Sequence, residues 1–236
     1  MPIQKHDDAD RPKRRVGLIT GIAVGAALAL GAGALAVTQS GDDSKTPPAA
    51  TDITVEKAAT VLDRPFEKPD LVLTDTHGKK FDLRERTKGK PTLIYYGYTH
   101  CPDVCPLTMS NLAVAKKELE KKLPKAEIDK LQVIMVSSDP ERDTPEHLGT
   151  WMKSQDPSFI GLTGDFPTIQ ASARSLGIVI EEPVKEKDGT VTSTHGKQVI
   201  AFSPKTDEGY VLYNGEEATS DDYAKDLPKI MKGEKP

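Results

Sequence analysis

Cysteine is scarce in this sequence: the 236 residues hold two, Cys101 and Cys105. A bridge between them would close a loop of about five residues, contributing on the order of 2 kcal/mol of chain entropy against ~4.7 for a hundred-residue loop. The pair is therefore poorly placed as a structural staple. Basic charge is not in surplus either, with 32 Lys and Arg against 36 Asp and Glu and a formal net charge of −4. Without a Lys/Arg cluster interleaved with aromatics, nothing is available to neutralise a phosphate backbone, which argues against a nucleic-acid partner. Neither a Gly-x-x-x-x-Gly-Lys-Ser/Thr loop nor a Gly-x-Gly-x-x-Gly turn occurs, so nucleotide chemistry has no foothold. There is no internal repeat. No cysteine stands near the one long apolar run, which excludes a lipoprotein anchor.

That run is the first positive feature. Val16 to Val37 carries no charge, and at ~1.5 Å per residue its roughly 22 residues reach about 33 Å as a helix, enough to cross a bilayer. Arg11, Lys13, Arg14 and Arg15 precede it, and Asp42 and Asp43 follow. The basic flank predicts a cytoplasmic segment over 1–15, a single transmembrane helix over 16–37 and an extracytoplasmic remainder at the cell membrane. A cleaved signal peptide is the alternative, with Ala34-Leu35-Ala36 as the small-x-small site, although a signal core normally has only ~7 to 15 apolar residues. Residues 38–60, with many small and polar side chains and Pro47-Pro48, read as a solvated spacer.

From 61 to 236 short apolar runs alternate with amphipathic segments, predicting one α/β domain with a sheet between helices. Leu71 to Leu73 and Lys80 to Leu83 flank Asp75-Thr76-His77-Gly78 as a hairpin. Pro91 to Gly97 reads as a buried strand. Val104, Leu107, Leu112 and Leu119 keep helical spacing, predicting a helix over Asp103 to Lys122, with Pro106 tolerated in its first turn. A strand over Leu131 to Val136 opens into Ser137 to Pro145, where Thr144 caps a helix begun by Pro145. Phe159 to Thr163, Gln198 to Phe202 and Tyr210 to Tyr213 read as further strands, and Phe166 to Leu176 and Ser220 to Met231 as helices.

The cysteines thus fall at a strand-to-helix corner. A helix N-terminus lowers thiol pKa through its free N–H groups and dipole, which raises the thiolate fraction needed for metal binding or thiol exchange. The interval of four puts both sulfurs on one helical face, or on a loop and the turn it enters, close enough to share one ion. Among the histidines, His6 lies before the apolar run, and His77 and His147 read as surface residues. His100 adjoins Cys101 in a turn, where the side chain usually points elsewhere. His195 precedes a strand and could face the corner, but spacing alone favours a solvated loop residue. Two thiolates with an imidazole suit copper in either oxidation state, or zinc with water as fourth ligand. Met109 reads as core filling.

Three stretches together carry a resemblance: Tyr98-Thr99-His100-Cys101-Pro102-Asp103-Val104-Cys105-Pro106, Asp139-Pro140-Glu141-Arg142-Asp143-Thr144-Pro145, and a lone His195 before a strand. From about Phe66 onward the chain resembles the Sco/SenC family of copper chaperones for cytochrome c oxidase assembly. The resemblance implies a thioredoxin-like fold, copper as Cu(I) and Cu(II), and copper ligands at Cys101, Cys105 and His195. It puts Asp139 beside the site, holding the cysteine loop or a partner, with an ion pair to Arg142 as the plainer alternative. Members of that family deliver copper to the oxidase's dinuclear copper site, keep its cysteines reduced, or do both. The implied partners are the copper-site subunit of the oxidase and a second copper chaperone or thioredoxin-like reductant. Ser193-Thr194-His195-Gly196 departs from the Asp-His-Ser/Thr setting of many members, and the turn Ser203 to Gly209 is longer.

A metallochaperone is the first reading, and a thiol-disulfide oxidoreductase with Cys101 and Cys105 as its reacting groups is the alternative. The Cys-x-x-x-Cys spacing argues against the latter. A peroxiredoxin-like peroxidase ranks last, since Tyr98 and Pro102 stand where its threonine would precede a reacting cysteine.

Overall fold

A computed structural model describes residues 58–236. The segment 1–15, the apolar run 16–37 and nearly all of the spacer lie outside them. Among the described residues no helix is long and apolar enough to cross a membrane.

Strands and helices alternate as expected. The first part of the domain comprises β1 (Ala59–Glu67), β2 (Val72–Asp75), β3 (Lys80–Asp82), the short α1 (Leu83–Thr87) and β4 (Thr92–Gly97). Then come α2 (Val104–Glu120), the single turn α3 (Lys125–Ile128), β5 (Gln132–Ser137), α4 (Pro145–Gln155), β6 (Ile160–Thr163) and α5 (Phe166–Ser175). A small hairpin of β7 (Val184–Lys185) and β8 (Val191–Thr192) precedes β9 (Gln198–Phe202), β10 (Glu208–Asn214) and α6 (Ser220–Ile230).

Eight strands form one sheet in the order β1-β10-β9-β4-β5-β6-β2-β3. Its centre is parallel through β4, β5 and β6, and β9 lies antiparallel against β4. Every residue of β4 is buried because both faces of the sheet are covered. Successive side chains leave a strand on opposite faces. Leu93 and Tyr95 accordingly pack with Met109, Leu112, Met152 and Tyr223 from α2, α4 and α6. Ile94 and Tyr96 join Ile169 and Ala173 of α5 on the other side. The result is the thioredoxin-like sheet flanked by helices that the resemblance implied.

One end of the sheet gathers the loops that matter. Gly97 and Ser137, the last residues of β4 and β5, pair with each other, and β9 begins beside them, with Val199 opposite Tyr95. Ligand sites in open α/β sheets collect outside the carboxyl ends of the parallel strands. The chain also enters the domain at this end, since Ala59 pairs with Tyr213, and Tyr213 with Val199.

Three differences from the sequence reading have physical causes. β1 starts at Ala59, ahead of the boundary expected at 61. As an edge strand with Pro65 inside a register break between Val61 and Phe66, it shows no alternation to read. Leu107, expected on the apolar face of α2, is 47% exposed. The buried stripe begins instead at Cys105 and continues through Thr108, Met109, Leu112, Ala115 and Leu119. The polar excursion after Pro183 contains the β7–β8 hairpin, closed at Gly189 with φ at 89°.

Candidate metal centre

Cys101 lies in the loop that leaves β4, and Cys105 is the second residue of α2. Asp103 occupies the N-cap position but makes no side-chain cap. Cys101 supplies an acceptor in its place: the Cys105 N–H donates to Cys101 Sγ at 3.4 Å. A sulfur facing exposed helix N–H groups is stabilised as thiolate. The Cys101 thiol is drawn well below its ordinary value, first by the Cys105 side chain that hydrogen-bonds to it, against the opposing effect of burial, then by the N–H groups of Asp103 and Cys105 and by the His195 ring. Cys105 is pushed upward by that same contact with Cys101 and by burial. The first deprotonation of the pair therefore belongs to Cys101.

Cys105 is wedged against the sheet. Tyr95 Oη donates to its sulfur at 3.2 Å, and burial above all keeps that phenol protonated, so it remains a donor. Gly97 makes the approach possible: a Cβ there would stand 2.9 Å from Cys105 Sγ and 2.5 Å from the Tyr95 ring.

This inequality predicts a reactivity order. Cys101 is 7% exposed and Cys105 fully buried. A lowered pKa leaves thiolate present at lower pH, so Cys101 should be alkylated by iodoacetamide well below the ~8.5 of an ordinary thiol, with Cys105 lagging. Peptide mass mapping across a pH series measures this, and parallel alkylation of both only in alkali would contradict it.

His195 lies in the loop between β8 and β9, its ring centroid 6.4 Å from that of Tyr98. Three hydrogen bonds fasten the loop to the sheet end. Ser193 Oγ donates to Asp139 Oδ2 at 2.7 Å, Ser138 Oγ to the Thr194 carbonyl at 2.5 Å, and the Gly196 N–H to the Tyr96 carbonyl at 2.8 Å. His195 Nδ1 lies 3.0 Å from the Gly196 carbonyl. A carbonyl only accepts, so Nδ1 carries the proton and Nε2 keeps its lone pair, the form in which imidazole binds a metal. The local backbone thus serves where the departing Ser193-Thr194-His195-Gly196 sequence left no evident partner.

Asp139 is buried, and its Oδ2 takes both the Arg142 guanidinium and the Ser193 hydroxyl. Its Oδ1 has no hydrogen-bond partner among the described residues. Its carboxylate thus holds the His195 loop, together with the Arg142 ion pair. The carboxylate that holds the cysteine loop is Asp143, which the sequence reading did not single out. Asp143 Oδ1 accepts from Thr99 Oγ1 at 2.5 Å, and Oδ2 from the Thr99 N–H at 3.1 Å and Ser137 Oγ at 2.6 Å. Met109 is fully buried in the core and His77 is exposed, both as expected.

The geometry finds parallels among known proteins. The SCO1/SenC family model matches residues 59–232. A Stutzerimonas stutzeri protein named for copper binding is 33% identical over 148 residues, covering 62% of this chain and 70% of its own length. Yeast mitochondrial SCO2 is 35% identical over 111 residues, which cover 47% of this chain but only 35% of the yeast protein. Among solved structures, Bradyrhizobium japonicum ScoI with copper bound is 33% identical at a TM-score of 0.57, covering 71% of this chain and 98% of that one. With a family match that takes in all of the sheet, both cysteines and His195, the chain belongs to the SCO1/SenC family.

Proposed function

We propose that this chain is a membrane-tethered, extracytoplasmic copper chaperone that binds one copper ion through Cys101 Sγ, Cys105 Sγ and His195 Nε2. Its cargo would go to the copper-site subunit of cytochrome c oxidase. The reading is supported by what lies at one sheet end: a thiolate-prone Cys101 just before α2 that feels the charge of His195, Cys105 one turn on, and a fastened loop whose histidine leaves Nε2 open. The apolar run 16–37 supports the tether. Copper is the substrate here, moving by exchange of thiolate ligands between donor and recipient, so that no free ion is released.

The unequal thiols favour one second reading, reduction of the recipient's disulfide. The Cys101 thiolate would attack one sulfur of that disulfide, forming a mixed disulfide and releasing a recipient thiolate. Cys105, on losing its proton, would then attack Cys101 Sγ and release the second recipient thiol, so that two electrons pass to the recipient and this chain ends oxidised.

One experiment separates the two. The reduced full-length chain in detergent is loaded with copper and mixed anaerobically with the metal-free copper-site domain of an oxidase, its cysteines either reduced or disulfide-bonded. Delivery predicts that copper leaves this chain for the reduced recipient, measured as the metal content of each protein after separation. Thiol counting that shows reduction of the oxidised recipient, with no copper moving in either sample, would replace delivery by reduction.

A further inference from the structure

Among the described residues one group of His, Cys, Asp or Glu side chains has its ligand atoms all within 4.8 Å of one another, and it is not the thiol pair with His195. It consists of His100, Asp143 and His147. They come from separate elements: His100 from the loop after β4, His147 from the first turn of α4, and Asp143 from the segment before the α4 cap. The two imidazoles stack at 5.1 Å with their planes 20° apart, and both are exposed, while Asp143 is fully buried behind them.

At the focus stands the Thr99 hydroxyl, 3.1 Å from His100 Nδ1, 3.0 Å from His147 Nε2 and 2.5 Å from Asp143 Oδ1. A hydroxyl has one proton to give and two lone pairs to accept with. The carboxylate can only accept, so the Thr99 proton goes to Asp143, and both imidazoles must donate to Thr99. Two ring nitrogens and a carboxylate oxygen thus already point at one position from about 3 Å, with His100 Nδ1 3.8 Å from Asp143 Oδ1. Metal–nitrogen bonds of ~2.0 to 2.1 Å require the rings to close by only about 1 Å. Exposed side chains can make that adjustment, and the hydroxyl can rotate aside.

We propose that His100 Nδ1, His147 Nε2 and Asp143 Oδ1 form a second metal site, for a divalent first-row ion bound through imidazole. On binding, each ring takes up its other tautomer, so its proton moves to the far nitrogen and its lone pair faces the ion. The donor set of two imidazoles and one carboxylate holds no thiolate. It therefore selects Cu(II) or Zn(II) over Cu(I), with Cu(II) ahead in intrinsic affinity. The site also works with Cys101 and Cys105 oxidised or absent, and so stands independently of the thiol-site reading. Because His100 directly precedes Cys101, an ion held there sits beside the loop that carries the first thiol.

The test uses the untagged full-length chain with Cys101→Ser and Cys105→Ser, in detergent, titrated with Cu(II) and followed by electron paramagnetic resonance. Background from His6 and His77 is common to every variant. The expected result is uptake of Cu(II) with hyperfine coupling to two imidazole nitrogens, weakened at least about tenfold by His147→Gln or His100→Gln and unchanged by His195→Ala. In the chain with its cysteines intact and reduced, His147→Gln leaves Cu(I) binding as it was. Cu(II) uptake equal in the parent and in the His100→Gln/His147→Gln double variant would overturn the proposal. So would uptake that vanishes with His195→Ala but survives His147→Gln.

Discussion

Serine in place of Cys101 is expected to abolish tight Cu(I) binding, the largest single effect the geometry supports. Cys101 is the sulfur that the α2 N–H groups hold as thiolate. A serine hydroxyl at the same point is a hard, protonated and far weaker donor to a soft cation. The remaining thiol, Cys105, is fully buried, which by itself favours the protonated form, so the loss should exceed the 10- to 100-fold typical of removing a supporting residue, by roughly another factor of ten or more. His195→Ala should cost less, on the order of 10- to 100-fold, because both sulfurs remain. Anaerobic titration of the full-length chain against a competing chelator, following the thiolate-to-copper charge-transfer band, measures all three proteins. Copper binding that survives His195→Ala unchanged would remove the histidine from the ligand set, and survival in Cys101→Ser would end the thiolate site altogether.

Asp143→Ala carries the largest expected effect on stability. The carboxylate is fully buried and accepts three hydrogen bonds, two from Thr99 and one from Ser137. Deleting it strands the buried Ser137 hydroxyl and leaves the two half-buried Thr99 donors without their acceptor, at about 1 to 3 kcal/mol for a donor that water cannot reach and less for the others, so a loss of roughly 3 kcal/mol is expected. At about 2 to 4 °C per kcal/mol for a domain of this size, the melting temperature should fall by some 6 to 12 °C. Asp143→Asn keeps one oxygen and most of the volume and should lose about half as much. Thermal unfolding monitored by circular dichroism decides it. A melting temperature unmoved by alanine would mean that something other than this carboxylate secures Thr99 and the cysteine loop.

Much of the molecule was legible in advance because its cues are local. The continuously buried run of β4, the Thr144 cap followed by Pro145, and the corner placement of Cys101 and Cys105 each depend on neighbours within a few positions. What escaped depends on distance along the chain. Asp143 and Asp139 sit in the same acidic run, and nothing in its spacing says which reaches back to Thr99 and which forward to Ser193. That division is made by β5, which ends at Ser137 and turns the two carboxylates toward different loops. The lone pair on His195 was illegible for a related reason: its orienting partner is a backbone carbonyl, which every sequence contains and none advertises. The meeting of His100 with His147 likewise requires the loop after β4 to lie over the first turn of α4, a juxtaposition made only by the sheet order.

β1 enters the domain at the end of the sheet that bears Gly97 and His195. Ala59 is separated from Tyr95 by two intervening strands, about 14 Å across the sheet. The first strand of the described domain therefore starts on the same strand row as Tyr95, the residue that touches Cys105, rather than at the opposite end of the sheet.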